Sequence, residues 1–181
     1  MLLNEHQFDQ ARRQLEKAVE LTPTDSDAWL QLMNAQRGQG DDPGAINTLL
    51  KGLALCPQSP SLHFEYARYL KAGNRPAEAI GEFRRTYELR PSDVSPLIEL
   101  AGLSFALNRN ADGLAALNQA LERQPGHPLA LASLAVYAIM VGDEKTALQR
   151  WAQIRQQPKT PAEVVAGVRQ AYERRFGRSL P

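Results

Sequence analysis

The side chains able to do acid–base, nucleophilic or metal chemistry are few and scattered. Three histidines (His6, His63, His127) and one cysteine (Cys56) stand far apart along the chain. No two of them fall at the i, i+4 spacing, with a carboxylate partner, that presents metal ligands from one helix face. No glycine-rich phosphate loop, nucleophile elbow, kinase signature set or acid pair occurs. A single cysteine forms no intrachain disulfide. The residues therefore point to no catalytic, cofactor or metal site, and the chain reads as non-enzymatic. His63 fills a helix packing position, His127 precedes Pro128 at a helix entry, and Cys56 reads as a small buried hydrophobe.

Composition bounds the rest. The chain has 181 residues, 43% apolar and 23% charged, which suits a globular or repeat protein. A net charge of +1 supplies no field to draw it to nucleic acid or to an anionic membrane. No run approaches the roughly 20 apolar residues of a membrane helix, and Met1-Leu2-Leu3 is followed at once by Asn4-Glu5-His6, unlike a signal peptide.

What the chain does carry is a period. Pro23, Pro57, Pro91 and Pro125 stand 34 residues apart. With 12 prolines in the chain, that recurrence has chance odds of roughly 3 in 10,000, so an internal repeat is the better explanation. Ala11, Ala45, Ala79, Gly113 and Ala147 keep the same step and are all small. Four residues beyond them lie Leu15, Leu49, Phe83, Leu117 and Trp151, all large and apolar. Small beside large on one helix face lets a second helix approach closely while the bulky residue fills the facing groove. A second set of helices repeats as Trp29/Leu32, His63/Tyr66, Leu97/Leu100 and Leu131/Leu134. Short turns join the two sets, so each pair must be antiparallel.

Trp29, Leu32, Ala45, Leu49 and Pro57 fall where the tetratricopeptide signature places its large, small and closing residues. The chain resembles that family over almost its whole length. The departures are Met33 for a small residue and Gln36, Leu70, Ser104 and Ala138 for the usual aromatic. The resemblance implies an all-α fold: a right-handed superhelical α-solenoid of stacked antiparallel helix pairs (an α-α superhelix). Residues 1–25 would hold the second helix of an incomplete repeat. Full repeats are expected at 26–59, 60–93, 94–127 and 128–160, and a C-terminal capping helix and tail at 161–181. Ser59-Pro60 and His127-Pro128 start helices, Asp25 and Asp93 are candidate caps, and Thr160-Pro161-Ala162-Glu163 reads as a capping box. The opening half-repeat leaves Leu3, Phe8, Leu15 and Val19 without half their cover. It is expected to be the cut edge of a longer chain.

The resemblance also implies which residues face the solenoid's concave groove. Its early half is polar with cations, and its late half is apolar. Leu30, Asn34, Arg37, Phe64, Arg68, Lys71, Ile98 and Phe105 are the residues expected to meet a partner. Arg37, Arg68 and Lys71 would anchor an acidic side chain or a peptide carboxylate, or else form a solvated face with Glu65. Leu30, Phe64 and Ile98 form an apolar row that no expected element covers, whereas Phe105, Val136, Ile139 and Met140 read as core under the last helix. The carboxylate clamp of chaperone-binding members is not present. Asn34 matches it, but Leu30, Glu65, Ser95 and Glu99 stand where lysine, asparagine, lysine and arginine would be.

The reading is a non-enzymatic protein–protein interaction scaffold that binds a peptide or a partner helix along the groove, with no cofactor. Its partner is a protein or peptide whose identity the sequence does not name, with no nucleic acid and no membrane insertion by this segment. Self-pairing through the bare N-terminal edge would make it a homo-oligomer. The alternative is a regulatory or targeting lobe of a larger enzyme or membrane-anchored assembly factor.

Overall fold

In the computed structural model, the described residues are 2–180 for the backbone and 9–180 for the side chains, and they form ten α-helices. Two compact units divide between Pro91 and Ser92. The first holds α1 (Leu2–Leu21), α2 (Ser26–Gly38), α3 (Asp42–Leu55), α4 (Pro60–Ala72) and α5 (Pro76–Leu89). The second holds α6 (Ser95–Ala106), α7 (Asn110–Arg123), α8 (Pro128–Val141), α9 (Glu144–Arg155) and α10 (Ala162–Phe176). Neighbours along the chain pair up: α2 with α3, α4 with α5, α6 with α7, and α8 with α9.

Proline sits in the first turn of α3, α4, α5, α6 and α8, where its missing N–H leaves no hydrogen bond unmade. Asp25 caps α2, Ser59 caps α4, and the His127 ring accepts from the Ala130 amide at the start of α8. Two expected caps differ. Val94, not Asp93, holds the cap position of α6, and the Asp93 carboxylate accepts the Ser95 amide instead. The capping box at 160–163 does not form. Pro161 occupies the cap of α10, and the Thr160 hydroxyl turns back to donate to the carbonyls of Ile154 and Gln157.

The turn inside each pair has one geometry. Gly40, Asn74, Asn108 and Gly142 lie 34 residues apart and all have positive φ, between 55° and 80°. Glycine meets no Cβ penalty there, and asparagine tolerates the left-handed region better than most residues. The next amide in each case donates to a carbonyl five residues back: Asp41 to Gln36, Arg75 to Leu70, Arg109 to Ser104 and Asp143 to Ala138, at 2.8–2.9 Å. This is the Schellman closure of a helix end.

In the first unit, Val19, Trp29, Leu32, Met33, Leu49 and Leu62 form one buried cluster. Each large side chain so buried contributes about 1.5–3 kcal/mol. Leu15 packs at its edge, while Leu3 and Phe8 lie outside the described side chains. A Cβ on Gly52 would stand 2.9 Å from Trp29 Cβ, so the glycine is what admits Trp29 this close. Trp29 Nε1 donates to the Pro23 carbonyl at 2.8 Å, and the Cys56 thiol approaches the same oxygen at 3.7 Å. Cys56 is thus partly buried rather than sealed in the core, and burial pushes its thiol pKa up. One period on, His63 Nε2 lies 3.0 Å from the Pro57 carbonyl and Nδ1 lies 2.6 Å from Glu82.

In the second unit, Leu131, Ile139, Trp151, Ile154, Val168 and Tyr172 share a core. Here α10 lies on α8, with Val168 and Tyr172 buried and Val165 and Phe176 partly so. The Arg169 guanidinium stands 5.4 Å from the Trp151 ring centroid. Glu144, at the start of α9, accepts from the Tyr172 hydroxyl and from Arg178. Those two hydrogen bonds, Tyr172 first, hold the Glu144 carboxyl below its ordinary pKa, and the same contact raises that of Tyr172. A Cβ at Gly113 would stand 2.6 Å from the Phe105 ring, which stacks on Tyr137 with centroids 4.9 Å apart.

Three tests follow from these contacts. Asn108→Val should lower unfolding stability by about 1–2 kcal/mol, whereas Asn108→Gly should be nearly neutral, as read by urea titration. Because folding lowers the Glu144 pKa, its stabilisation is present above the unfolded carboxylate value and is lost as pH falls through the folded one. Amide protection factors in α10, which correct for the intrinsic slowing of exchange in acid, should therefore fall as pH is lowered, and Glu144→Gln should remove that dependence. Gly113→Ala should destabilise by about 1–3 kcal/mol through overpacking, and a Phe105→Ala background should cancel most of the loss in a double-mutant cycle.

Candidate functional site

Leu30, Asn34 and Arg37 recur at helical spacing along α2, and Phe64, Arg68 and Lys71 repeat it along α4. The two helices touch within the first unit. Between them Glu65 acts as a bridge: one carboxylate oxygen lies 3.2 Å from Arg37 and the other 3.0 Å from Arg68. Arg37 also donates to Asn34 Oδ1 at 2.8 Å. The Glu65 side chain is only 15% exposed, while those of Arg37 and Arg68 are 47% and 53% exposed. Three of the expected residues are thus joined through a fourth, and both guanidiniums remain open to solvent.

These arginines stand at the rim of a depression of about 500 Å³, with Asp42 and Tyr69 also lining it. Met33, Ala45 and Leu49, all buried, and the partly buried Ile46 supply the apolar part of its lining. The chemistry is that of two guanidinium forks beside an apolar cleft. A guanidinium presents five donors, so each arginine can hold Glu65 and still offer N–H groups to another carboxylate. Arg37 and Arg68 are about half exposed, so a ligand carboxylate can reach their guanidiniums from solvent beside the largely buried Glu65.

The apolar row is more covered than the sequence implied. Leu30 packs against the Trp29 cluster. Phe64 meets Phe83 of α5 edge to face, with centroids 5.4 Å apart. Ile98, on α6, is partly buried within the second unit. Lys71 is exposed but does not line the depression. Tyr69 was missed, although it neighbours Arg68 and lies four residues beyond Glu65, on the same helix face.

In the second unit, Phe105 lines an apolar hollow of about 320 Å³ with Val136, Tyr137, Met140, Val164 and Val168. Of the residues expected as core under the last helix, Ile139 is buried and Val136 partly so, but Met140 is 69% exposed. Met140 faces the same hollow as Val164 and Val168 of α10, and that hollow is open, so its side chain stays in contact with solvent. Among the described residues no cluster of three His, Cys, Asp or Glu could hold a metal, and no helix is long and apolar enough to cross a membrane.

Residues 2–64 and residues 99–161 each match a family profile described as Tetratricopeptide repeat, together well over half of the chain. No curated protein matches the sequence. Among solved structures, pilF of Pseudomonas aeruginosa is similar at 19% identity and TM-score 0.72, over 98% of this chain and 88% of that one. MamA is similar at 18% identity and TM-score 0.70, over 84% of this chain and 90% of that one. YrrB, described as a TPR protein with an unusual peptide-binding site, is similar at 18% identity and TM-score 0.69, over 93% of this chain and 87% of that one. At such identities the likeness speaks to fold, and that fold is the all-α helical solenoid. The chain belongs to the tetratricopeptide repeat family, whose members are in general scaffolds for protein–protein interaction.

Proposed function

We propose that this chain is a non-enzymatic interaction scaffold that receives an acidic segment of a partner protein on α2 and α4. The observation that carries the reading is the Arg37–Glu65–Arg68 bridge beside an apolar cleft. A partner carboxylate takes donors from the two guanidiniums while Glu65 shares them. A neighbouring apolar side chain enters against Met33, Ile46 and Leu49. Because helices fix both arginine stems, little conformational entropy is lost when the ligand binds. Peptide binding by a relative of the same fold, YrrB, supports the ligand class.

The test is selection of acidic peptides from a displayed library, followed by titration against wild type and an Arg37→Ala/Arg68→Ala variant of unchanged helicity. Charged hydrogen bonds of about 1.5–3 kcal/mol predict a loss of roughly tenfold to a hundredfold in affinity. Equal affinity in the double variant would falsify the anchor.

A further inference from the structure

A second cleft in the first unit lies on another face of α2. Both α1 and α3 pack on α2, and a cleft of about 390 Å³ opens over it, lined by all three helices. Its floor is Val19, Trp29 and Leu32, all buried, with Gln36 beyond them. Leu30, Asn34 and Arg37 do not line it. Gln36 stands where the tetratricopeptide signature has an aromatic, and one period on the position holds the buried Leu70. Gln36 is 7% exposed, and its side-chain oxygen is buried without a hydrogen-bond partner among the described residues. A buried acceptor left without a donor is destabilising, and a donor that enters the cleft relieves it.

The charges around the cleft divide between its ends. At the Gln36 end, Arg12 Nε donates to Glu16 at 2.9 Å and Nη1 stands 3.8 Å from Asp41, whose amide donates to the Gln36 carbonyl. Two carboxylates there face one guanidinium. Glu20 lies eight residues along α1 from Arg12, about 12 Å away, at the Trp29 end. Lys51 is at that end as well, because the adjoining Gly52 abuts Trp29. Glu20 and Lys51 line the cleft from opposite walls, are exposed, and form no ion pair with each other or with another described residue. Three carboxylates (Glu16, Glu20, Asp41) against two cations (Arg12, Lys51) leave the cleft at −1.

We propose that this cleft binds a free basic α-amino acid, lysine or arginine. The α-ammonium meets Glu20 and the α-carboxylate meets Lys51, which are the two charges that the fold leaves unpaired. The aliphatic stem lies along Val19, Trp29 and Leu32, as such stems do on apolar surface. The distal cation donates to the Gln36 oxygen and to the spare lone pairs of Glu16 and Asp41. A ligand of charge +1 thereby neutralises a cleft of −1. The site shares no residue with the Arg37–Glu65–Arg68 anchor and does not depend on it.

The test is calorimetric titration of the full chain with L-lysine and L-arginine, beside L-norleucine, which lacks the distal cation, and Nα-acetyl-L-lysine amide, which lacks both head charges. At least one basic amino acid should bind, and the two analogues should bind about tenfold or more weakly. Gln36→Leu removes the unpartnered oxygen at similar volume, so its melting temperature should be unchanged or raised while affinity falls about tenfold. Glu20→Gln/Lys51→Gln alters only exposed side chains and should abolish the preference for lysine over its Nα-acetyl amide. Arg37→Ala/Arg68→Ala should bind as wild type does. No binding of either basic amino acid at about 10 mM overturns the site, as does equal affinity in Gln36→Leu. Norleucine binding as tightly as lysine removes the distal cation from recognition and overturns it too. Nα-acetyl-lysine amide binding as tightly as lysine makes the cleft a receptor for a lysine side chain of another protein and overturns the free amino acid.

Discussion

The amide that follows Gly40, Asn74, Asn108 and Gly142 reaches back five positions to a helix carbonyl, and that contact closes the four pairs α2/α3, α4/α5, α6/α7 and α8/α9. The acceptors belong to Gln36, Leu70, Ser104 and Ala138, four side chains with nothing in common. Only their backbone oxygen is used. This explains how the family's usual aromatic can be absent from all four positions without loss of the pair. What the geometry does demand is a residue that accepts positive φ, and glycine supplies it in the first and last of these turns and asparagine in the two between.

Once the turn is closed, the second constraint is how near the two helices come. Where a large side chain lies across the partner helix, a glycine appears beneath it: Gly52 under Trp29 and Gly113 under Phe105. Ala45, Ala79 and Ala147, one period apart from one another or from Gly113, are buried alanines. At Gly52 and Gly113 an aromatic of the first helix thus limits the size of the residue on the second. The same logic accounts for the site. Arg37 and Arg68 can share Glu65 because α2 and α4 pack closely enough for one carboxylate to span them.

Much of this was legible in the sequence because it is local or periodic. The proline step, the small and large columns and the helix starts at Pro60 and Pro128 depend on residues a few positions apart. The failures involve a competing local choice or a distant neighbour. Thr160 had the right spacing for a capping box, but Pro161 took the cap and the hydroxyl found the carbonyls of Ile154 and Gln157. Met140 had the right column for core, but it faces a hollow that α10 leaves open. The Arg37–Glu65 bridge spans 28 positions and rests on side-chain geometry that no period encodes. Phe64 seemed uncovered because its cover, Phe83, already had a place in the large column.

The fixed turn geometry makes the chain tolerant of change in whole repeats and intolerant of change in parts of them. Excising residues 41–74 would join Gly40 to Arg75, leaving a left-handed glycine followed by an amide within reach of the Gln36 carbonyl and by the Pro76 start of a helix. Removing one residue more or fewer would rotate every later side chain by about 100° around its helix and turn the core face toward water. Duplication and loss in steps of one period are therefore the natural currency of variation for such a chain. Each new copy brings its own closing contact with it, and the binding surface can lengthen or shorten without redesign of the cores already present.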